Sequence, residues 1–321
     1  MPRPIILGVV GDSAAGKTTI TRGLVRILGE EKVTHVALDD YHRYDRQQRK
    51  EHDITPLHPD CNYMDIIGQD IAHLRRGNAI LKPVYRHTDG TFGPPMYLEP
   101  RAFTIVEGLL GYHTSQIRDA YDVRVYLAPP EELRRKWKVD RDCSRRGYTT
   151  DEVLAELDRR EPDSAAFIRP QERFADIVVA FLPGDAGDAP HRLDARLVLR
   201  DGLAHPDLSP FIGGDSAITL DEHNGNRWLR IPGDVDPERA GEIEQSIWQA
   251  MHFASHLRSQ RLGEFTIGTD LHRSETLALV QLLILYHLVT AKASIALGGQ
   301  GTRADALRTD GVAPVTGLIP Q

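Results

Sequence analysis

At 321 residues the chain is long enough for a sizeable core and, at roughly 150 residues per domain, for about two domains. Its 39 basic and 46 acidic residues leave a net charge of −7, which argues against a general nucleic-acid binder because that role needs a broad cationic footprint. With 40% apolar and 26% charged residues the composition is that of an ordinary soluble globular protein, and two cysteines, Cys61 and Cys143, rule out a disulfide scaffold and form no zinc-ligand spacing.

The N-terminal MPRPIILGVVGDS has too short an apolar run for a signal peptide, so the cytoplasm is the expected address. Residues 5–10 form a nearly continuous apolar run, as a strand covered on both faces requires, and lead into the glycine-rich GDSAAGKTT. Ile20, Leu24, Ile27 and Leu28 then recur at helical spacing, with Gly29 as C-cap. Residues 33–38 read as a second strand ending in Asp39-Asp40. Ile67, Ile71 and Leu74 mark a helix closed by Gly77. Residues 103–106 make a third strand ending in Glu107, and Val123, Val125 and Leu127 a fourth.

A helix is expected after Pro130, carrying RRKWKVDRD. Thr149 and Glu152 have capping-box spacing at the head of another, through Arg160, and residues 177–181 form a further strand. This alternation predicts an α/β fold with a mostly parallel sheet flanked by helices. Beyond the linker-like PGDAGDAP (183–190) the texture changes. Strands are expected at 196–200, 217–220 and 227–231, and helices at about 236–258 and 274–292. The reading is therefore a core over 1–183, a C-terminal antiparallel and helical extension over 184–297, and a loosely held tail over 298–321. The apolar run 277–289 falls short of the ~20 residues of a membrane span and reads as a buried or interface helix, with no membrane partner.

Gly11, Gly16, Lys17 and Thr18 match GxxxxGK[ST], the P-loop pattern, placed between a buried strand and an amphipathic helix as its mechanics require. Glycines let successive N–H groups curl around an anion at a helix N-terminus. Lys17 would reach the β- and γ-phosphates of a nucleoside triphosphate, and the Thr18 hydroxyl would bind magnesium. Ligands of open α/β sheets bind at the carboxyl ends of the strands, where Asp39 and Glu107 project. Asp39 is placed to take a proton from a substrate hydroxyl and Glu107 to face the metal. Two local basic runs stand out: Arg43, Arg46, Arg49 and Lys50, and Lys138, Arg141, Arg145 and Arg146. Cations beyond those clamping a triphosphate suit an acceptor that itself carries phosphate, and a lid carrying Arg141 and Arg146 would neutralise developing charge.

The motifs GDSAAGKTT, LDDYHRYDRQQRK, KPVYRHTDGTFGPP, IVEGLLG, WKVDRDCSRRGYT and ADIVVAF resemble the phosphoribulokinase and uridine kinase family of P-loop kinases over about residues 5–181, its phosphoribulokinase branch most closely. Uridine kinases carry a DSFY-like segment where this chain has DDYHRYDR. The resemblance implies ATP- and Mg2+-dependent phosphorylation of the 1-hydroxyl of ribulose 5-phosphate, a Calvin-cycle step, by a homodimer. It implies catalytic roles for Lys17, Asp39, Lys138, Arg141 and Asp142, with Asp39 or Asp142 as the base. Gly11, Asp12, Ser13, Ala14, Ala15, Gly16, Lys17, Thr18, Thr19 and Arg146 would hold the nucleotide. His42, Arg46, Arg49, Tyr85, His87 and Arg141 would hold the sugar phosphate, and Thr18 and Glu107 the metal. Plant-type relatives are switched by a cysteine pair at positions that are Ala15 and Ala37 here, so that thiol switch is expected to be absent. A uridine-type kinase and a nucleotide-binding regulator without transfer activity are the competing readings. His252 and His256 stand at i and i+4, a metal-ligand spacing. Phe253 follows the first of them where a zinc helix carries glutamate, and no third ligand is evident, so both read as structural.

Overall fold

The computed structural model describes residues 2–184, 192–209, 212, 217–267 and 269–302. Strand β1 (Ile5–Gly11), buried at every position, turns through the glycine-rich loop into helix α1 (Lys17–Leu28), which starts at Gly16 in the left-handed conformation (φ 93°) and ends at Gly29. β2 (Val33–Ala37) runs into a 3-10 turn, Leu38–Tyr41. A short helix α2 (Arg46–Glu51) follows, fixed by a capping box between Asp45 and Gln48. Helix α3 (Met64–Arg75) precedes a separate two-stranded ribbon, β3 (Ile80–Arg86) and β4 (Thr91–Leu98). Next come β5 (Phe103–Gly108), the single turn α4 (Ser115–Arg118) and β6 (Val123–Leu127). The basic helix α5 (Glu131–Arg146) follows, with Glu131 and Glu132 favourable at its N-terminus.

The expected Thr149–Glu152 capping box opens α6 (Thr150–Asp163). Pro162 lies inside α6, and the chain widens at once into a π turn, Ser164–Ile168, as an interrupted hydrogen-bond ladder does. The chain continues through β7 (Ile177–Pro183), β8 (Leu193–Arg200), β9 (Thr219–His223), β10 (Asn226–Ile231), α7 (Pro237–Ala250), the hairpin β11 (Glu264–Ile267) and β12 (Asp270–Arg273), and α8 (Glu275–Ala296).

The described residues form one eight-stranded sheet in the order β2-β5-β1-β6-β7-β8-β10-β9, parallel from β2 to β7 and antiparallel from β8 onward. This is the expected α/β architecture with its antiparallel addition. The sheet runs through residue 184 unbroken, with Pro183 opposite Leu193. The tail from residue 303 lies outside the described residues. One sheet face packs against α1, α7 and α8, the other against α3 and α4.

Two expectations need correction. The helix over 236–258 stops at Ala250, because Met251 leaves helical geometry (φ −120°, ψ 43°). His252 and His256 then sit in a 3-10 segment kinked at Ala254, share no α-helical face and are exposed rather than structural. The apolar run 277–289 belongs to a helix of 22 residues, long and apolar enough to cross a membrane by length and composition. It is nevertheless a core helix, with 14 side chains buried against α1, α7, β1 and β8, as a helix apolar on every side must be in a globular fold.

Candidate active site

Parallel register brings three functional segments to one sheet edge. Glu107 stands opposite Val9 on one side and Ala37 on the other, two residues before Gly11 and Asp39 respectively. A Cβ at Gly11 would lie 2.6 Å from the Leu127 carbonyl oxygen, so only glycine lets the loop leave the sheet so close to β6. Ala14 takes a positive φ of 65°, and the Gly16 carbonyl accepts from Thr19 and Ile20 N–H. Lys17 Nζ donates to the Gly11 and Asp12 carbonyls, both at 2.8 Å. Desolvation lowers its pKa against the pull of Asp39, Glu107 and Asp12, and Arg141 adds to the lowering.

The loop is braced from outside. Asp12 accepts from Ser13 N–H at 2.6 Å and from the Ser164 hydroxyl, and Arg134 on α5 donates to the Ser13 carbonyl at 3.0 Å. Thr18 Oγ1 lies 3.5 Å from Glu107 Oε1, while Thr21 Oγ1 donates to Glu107 Oε2 at 2.9 Å. Desolvation raises the Glu107 pKa, but His35, Thr21 and Lys17 hold it below its ordinary value. A hydroxyl beside an ionised carboxylate is an all-oxygen donor set suited to Mg2+, which keeps waters and substrate phosphates in its remaining positions.

Asp39 occupies the 3-10 turn after β2. Burial would raise its pKa, but His42, Lys17, His87 and Arg141 outweigh this and hold it below the usual carboxylate value. Groups from the loop, the basic turn, the ribbon and the α5 helix therefore converge on one acid. Among the described residues no side chain or backbone group donates a hydrogen bond to it. Asp142 is the opposite case, with Lys138 donating to Oδ2 and Arg141 Nε to Oδ1 at 2.9 Å. Lys138 is buried, and desolvation beside Arg141 lowers its pKa to about 8 despite Asp142.

The β3–β4 ribbon supplies the opposite wall. Asp40 pairs with buried Lys82 and accepts from Tyr85 N–H at 2.8 Å. Arg49 donates to Tyr85 Oη at 2.6 Å and to the Tyr44 carbonyl at 2.8 Å, and Arg46 donates to the His87 carbonyl at 2.6 Å. The Tyr85 ring stands edge-on to His42 and His87, with centroids 5.0 and 5.1 Å away. Arg43 stacks on Tyr63 at 5.2 Å and is exposed, as is Lys50. The side chains of Arg145 and Arg146 lie outside the described residues. Arg134, Ser164, Lys82 and Asn62 were not singled out as site residues, although Lys82 opens the KPVYRHTDGTFGPP motif and Arg134 the run RRKWKVDRD. Arg134 is one of several basic residues on its helix, and the other three acquire partners only through the fold.

A family model, Phosphoribulokinase / Uridine kinase family, matches residues 6–186. The phosphoribulokinase of Synechocystis sp. is 40% identical over 223 residues, spanning 69% of this chain and 67% of that protein. The chloroplastic phosphoribulokinase of Arabidopsis thaliana is 32% identical over 67% of this chain, which spans 59% of the plant protein's length. A Leuconostoc citreum uridine kinase is 31% identical, over 55% of this chain and 87% of that one. In fold, the chain is similar to the phosphoribulokinase structure from Rhodobacter spheroides, at a TM-score of 0.59 and 17% identity, covering 80% of this chain and 98% of that one. With the family model covering more than half of the sequence, the loop, the strand-end acids and the basic helix are those of a member of the phosphoribulokinase and uridine kinase family.

Proposed function

We propose that the chain is an ATP-dependent kinase that phosphorylates the 1-hydroxyl of ribulose 5-phosphate, giving ribulose 1,5-bisphosphate and ADP. The observation that carries the reading is the state of Asp39: held below the usual carboxylate value, without a hydrogen-bond donor among the described residues, and within electrostatic reach of the Lys17 and Arg141 cations. In this reading the loop N–H groups and Lys17 hold the triphosphate tail. Asp39 accepts the proton of the 1-hydroxyl as its oxygen bonds to the γ-phosphorus and the bond to the ADP oxygen breaks. Asp142, with both oxygens engaged by Lys138 and Arg141, orients those cations toward the transferring group and leaves the base role to Asp39.

Thr18 and Glu107 would hold Mg2+, which when bound screens the phosphate charge. Arg46 and Arg49, each with donors left over from their contacts to the ribbon, face the sugar's own phosphate. The relatives named phosphoribulokinase support the acceptor, and a cytoplasmic homodimer belongs to the same reading. A panel of acceptors with ATP and Mg2+ tests it. Turnover of ribulose 5-phosphate well above uridine is expected; turnover of uridine alone, or of no pentose phosphate despite tight ATP binding, overturns it. Light scattering at the assay concentration checks the dimer.

A further inference from the structure

His42 and Asn62 form an isolated antiparallel bridge between two irregular segments, and their side chains meet in a buried contact, Nδ1 to Oδ1 at 2.8 Å. The other end of the Asn62 amide is committed: Nδ2 donates to the Pro56 carbonyl at 3.1 Å and to the His58 carbonyl at 2.9 Å. Turning the amide over would set its oxygen against two carbonyl oxygens, so the network fixes its orientation. A carboxamide oxygen only accepts. His42 Nδ1 therefore carries the proton, and in the neutral ring Nε2 bears the lone pair.

The groups facing the ring are Asp39 from the turn after β2, Arg49 from α2, and Tyr85 and His87 from the ribbon. Burial, Arg49 and His87 lower the His42 pKa to about 4, against Asp39 and Asn62, so the ring is neutral at working pH. Among the described residues Nε2 has no hydrogen-bond partner. Beside Asp39 the site thus presents a second pure acceptor. A phosphate or keto oxygen, itself an acceptor, gains nothing from it; a hydroxyl does.

We propose that Asn62 is a positioning residue that fixes His42 in the Nδ1–H form, so that His42 Nε2 accepts a hydrogen bond from a sugar hydroxyl next to the one Asp39 deprotonates. The hydroxyl's identity rests on the kinase reading above; the tautomer does not. The assignment selects acceptors by hydroxyl placement and sends the sugar's phosphate to Arg46 and Arg49.

The test has three parts. Nitrogen-15 NMR of the histidine-labelled full chain, assigned by comparison with His42→Gln, should show His42 neutral and protonated at Nδ1 at pH 7. An Nε2–H form or an imidazolium overturns the proposal, whatever the enzyme phosphorylates. In folded Asn62→Asp, the facing carboxylate should turn His42 into an imidazolium and make the KM for ribulose 5-phosphate rise as pH falls. An unchanged His42 signal and a pH-independent KM remove the positioning role. Kinetics then compare His42→Gln, whose amide oxygen reaches the Nε2 position, with His42→Asn, whose amide reaches only the Nδ1 position. The Asn variant should raise the KM for ribulose 5-phosphate about five- to tenfold more than the Gln variant, the worth of one hydrogen bond, with the KM for ATP unmoved in both. Equal losses overturn the acceptor role. Absence of turnover with ribulose 5-phosphate in the unmodified protein would refute the kinase reading, while the spectrum still decides the tautomer.

Discussion

Two aspartates of this site differ in what already touches them, and that difference underlies the roles proposed for them. Asp142 has both oxygens engaged by Lys138 and Arg141, whereas Asp39 is ionised with its lone pairs open to a substrate. Asp39→Asn should therefore lower kcat by about 10²–10⁴-fold, the usual worth of general-base help, while the ATP dissociation constant measured by calorimetry stays within about a factor of two. A kcat near that of the unmodified chain would return the base role to Asp142. Lys138, with its pKa lowered to about 8, is charged below that pH and loses its charge as pH rises through it. The alkaline limb of kcat/KM, which reports the free enzyme, should fall near pH 8, and Lys138→Arg should push it upward. A limb that does not move would show that another group titrates there. At this scale the P-loop and the strand-end acids were legible because each is fixed by local backbone chemistry. Asn62 and Ser164 were not, since Ser164 meets Asp12 across 152 residues of sequence and Asn62 acts through three contacts that no motif encodes.

Among the elements, the β3–β4 ribbon, which carries the proposed sugar contacts Tyr85 and His87, was the least legible. Its KPVYRHTDGTFGPP mixes prolines and charges where alternation would mark a strand, and it pairs with itself instead of joining the main sheet. Beside Ile80 and Leu98, which pack into the core, its attachment is polar: the buried Lys82–Asp40 pair, the Tyr85 N–H on Asp40 and the Arg46 contact to the His87 carbonyl. Removing one member of such a pair leaves an uncompensated charge. Lys82→Met should destabilise the fold by about 3 kcal/mol in urea denaturation and raise the KM for ribulose 5-phosphate without changing that for ATP. A stability change below about 1 kcal/mol would mean the ribbon is held by other contacts. Helices α1, α3 and α6, by contrast, followed from spacing and caps, and α5 from its start after Pro130. The end of α7 departed from expectation, where the apolar periodicity continued but the backbone did not, and the short α2 and α4 were not anticipated.

For the molecule as a whole, the composition change near residue 184 marks a switch from parallel to antiparallel pairing. A single core cluster nonetheless joins β1, α1 and β5 to β8, β10, α7 and α8. Gln281, buried in α8, accepts from Gly263 N–H and donates to the Thr19 carbonyl of α1. The chain should therefore unfold in one transition, with far-UV circular dichroism and the fluorescence of Trp137, Trp228 and Trp248 sharing a midpoint. Separate midpoints would restore two independently stable units. Linker composition alone could not distinguish these outcomes, because β7 and β8 pair across it.

The bracing of Asp12 and Ser13 by Ser164 and Arg134 also has a thermodynamic consequence. The conformational freedom that the glycine-rich segment must surrender is lost when the polypeptide folds, not when an anion arrives. Association with a polyphosphate then begins from a rigid cradle, and little of its favourable enthalpy is cancelled by ordering the protein.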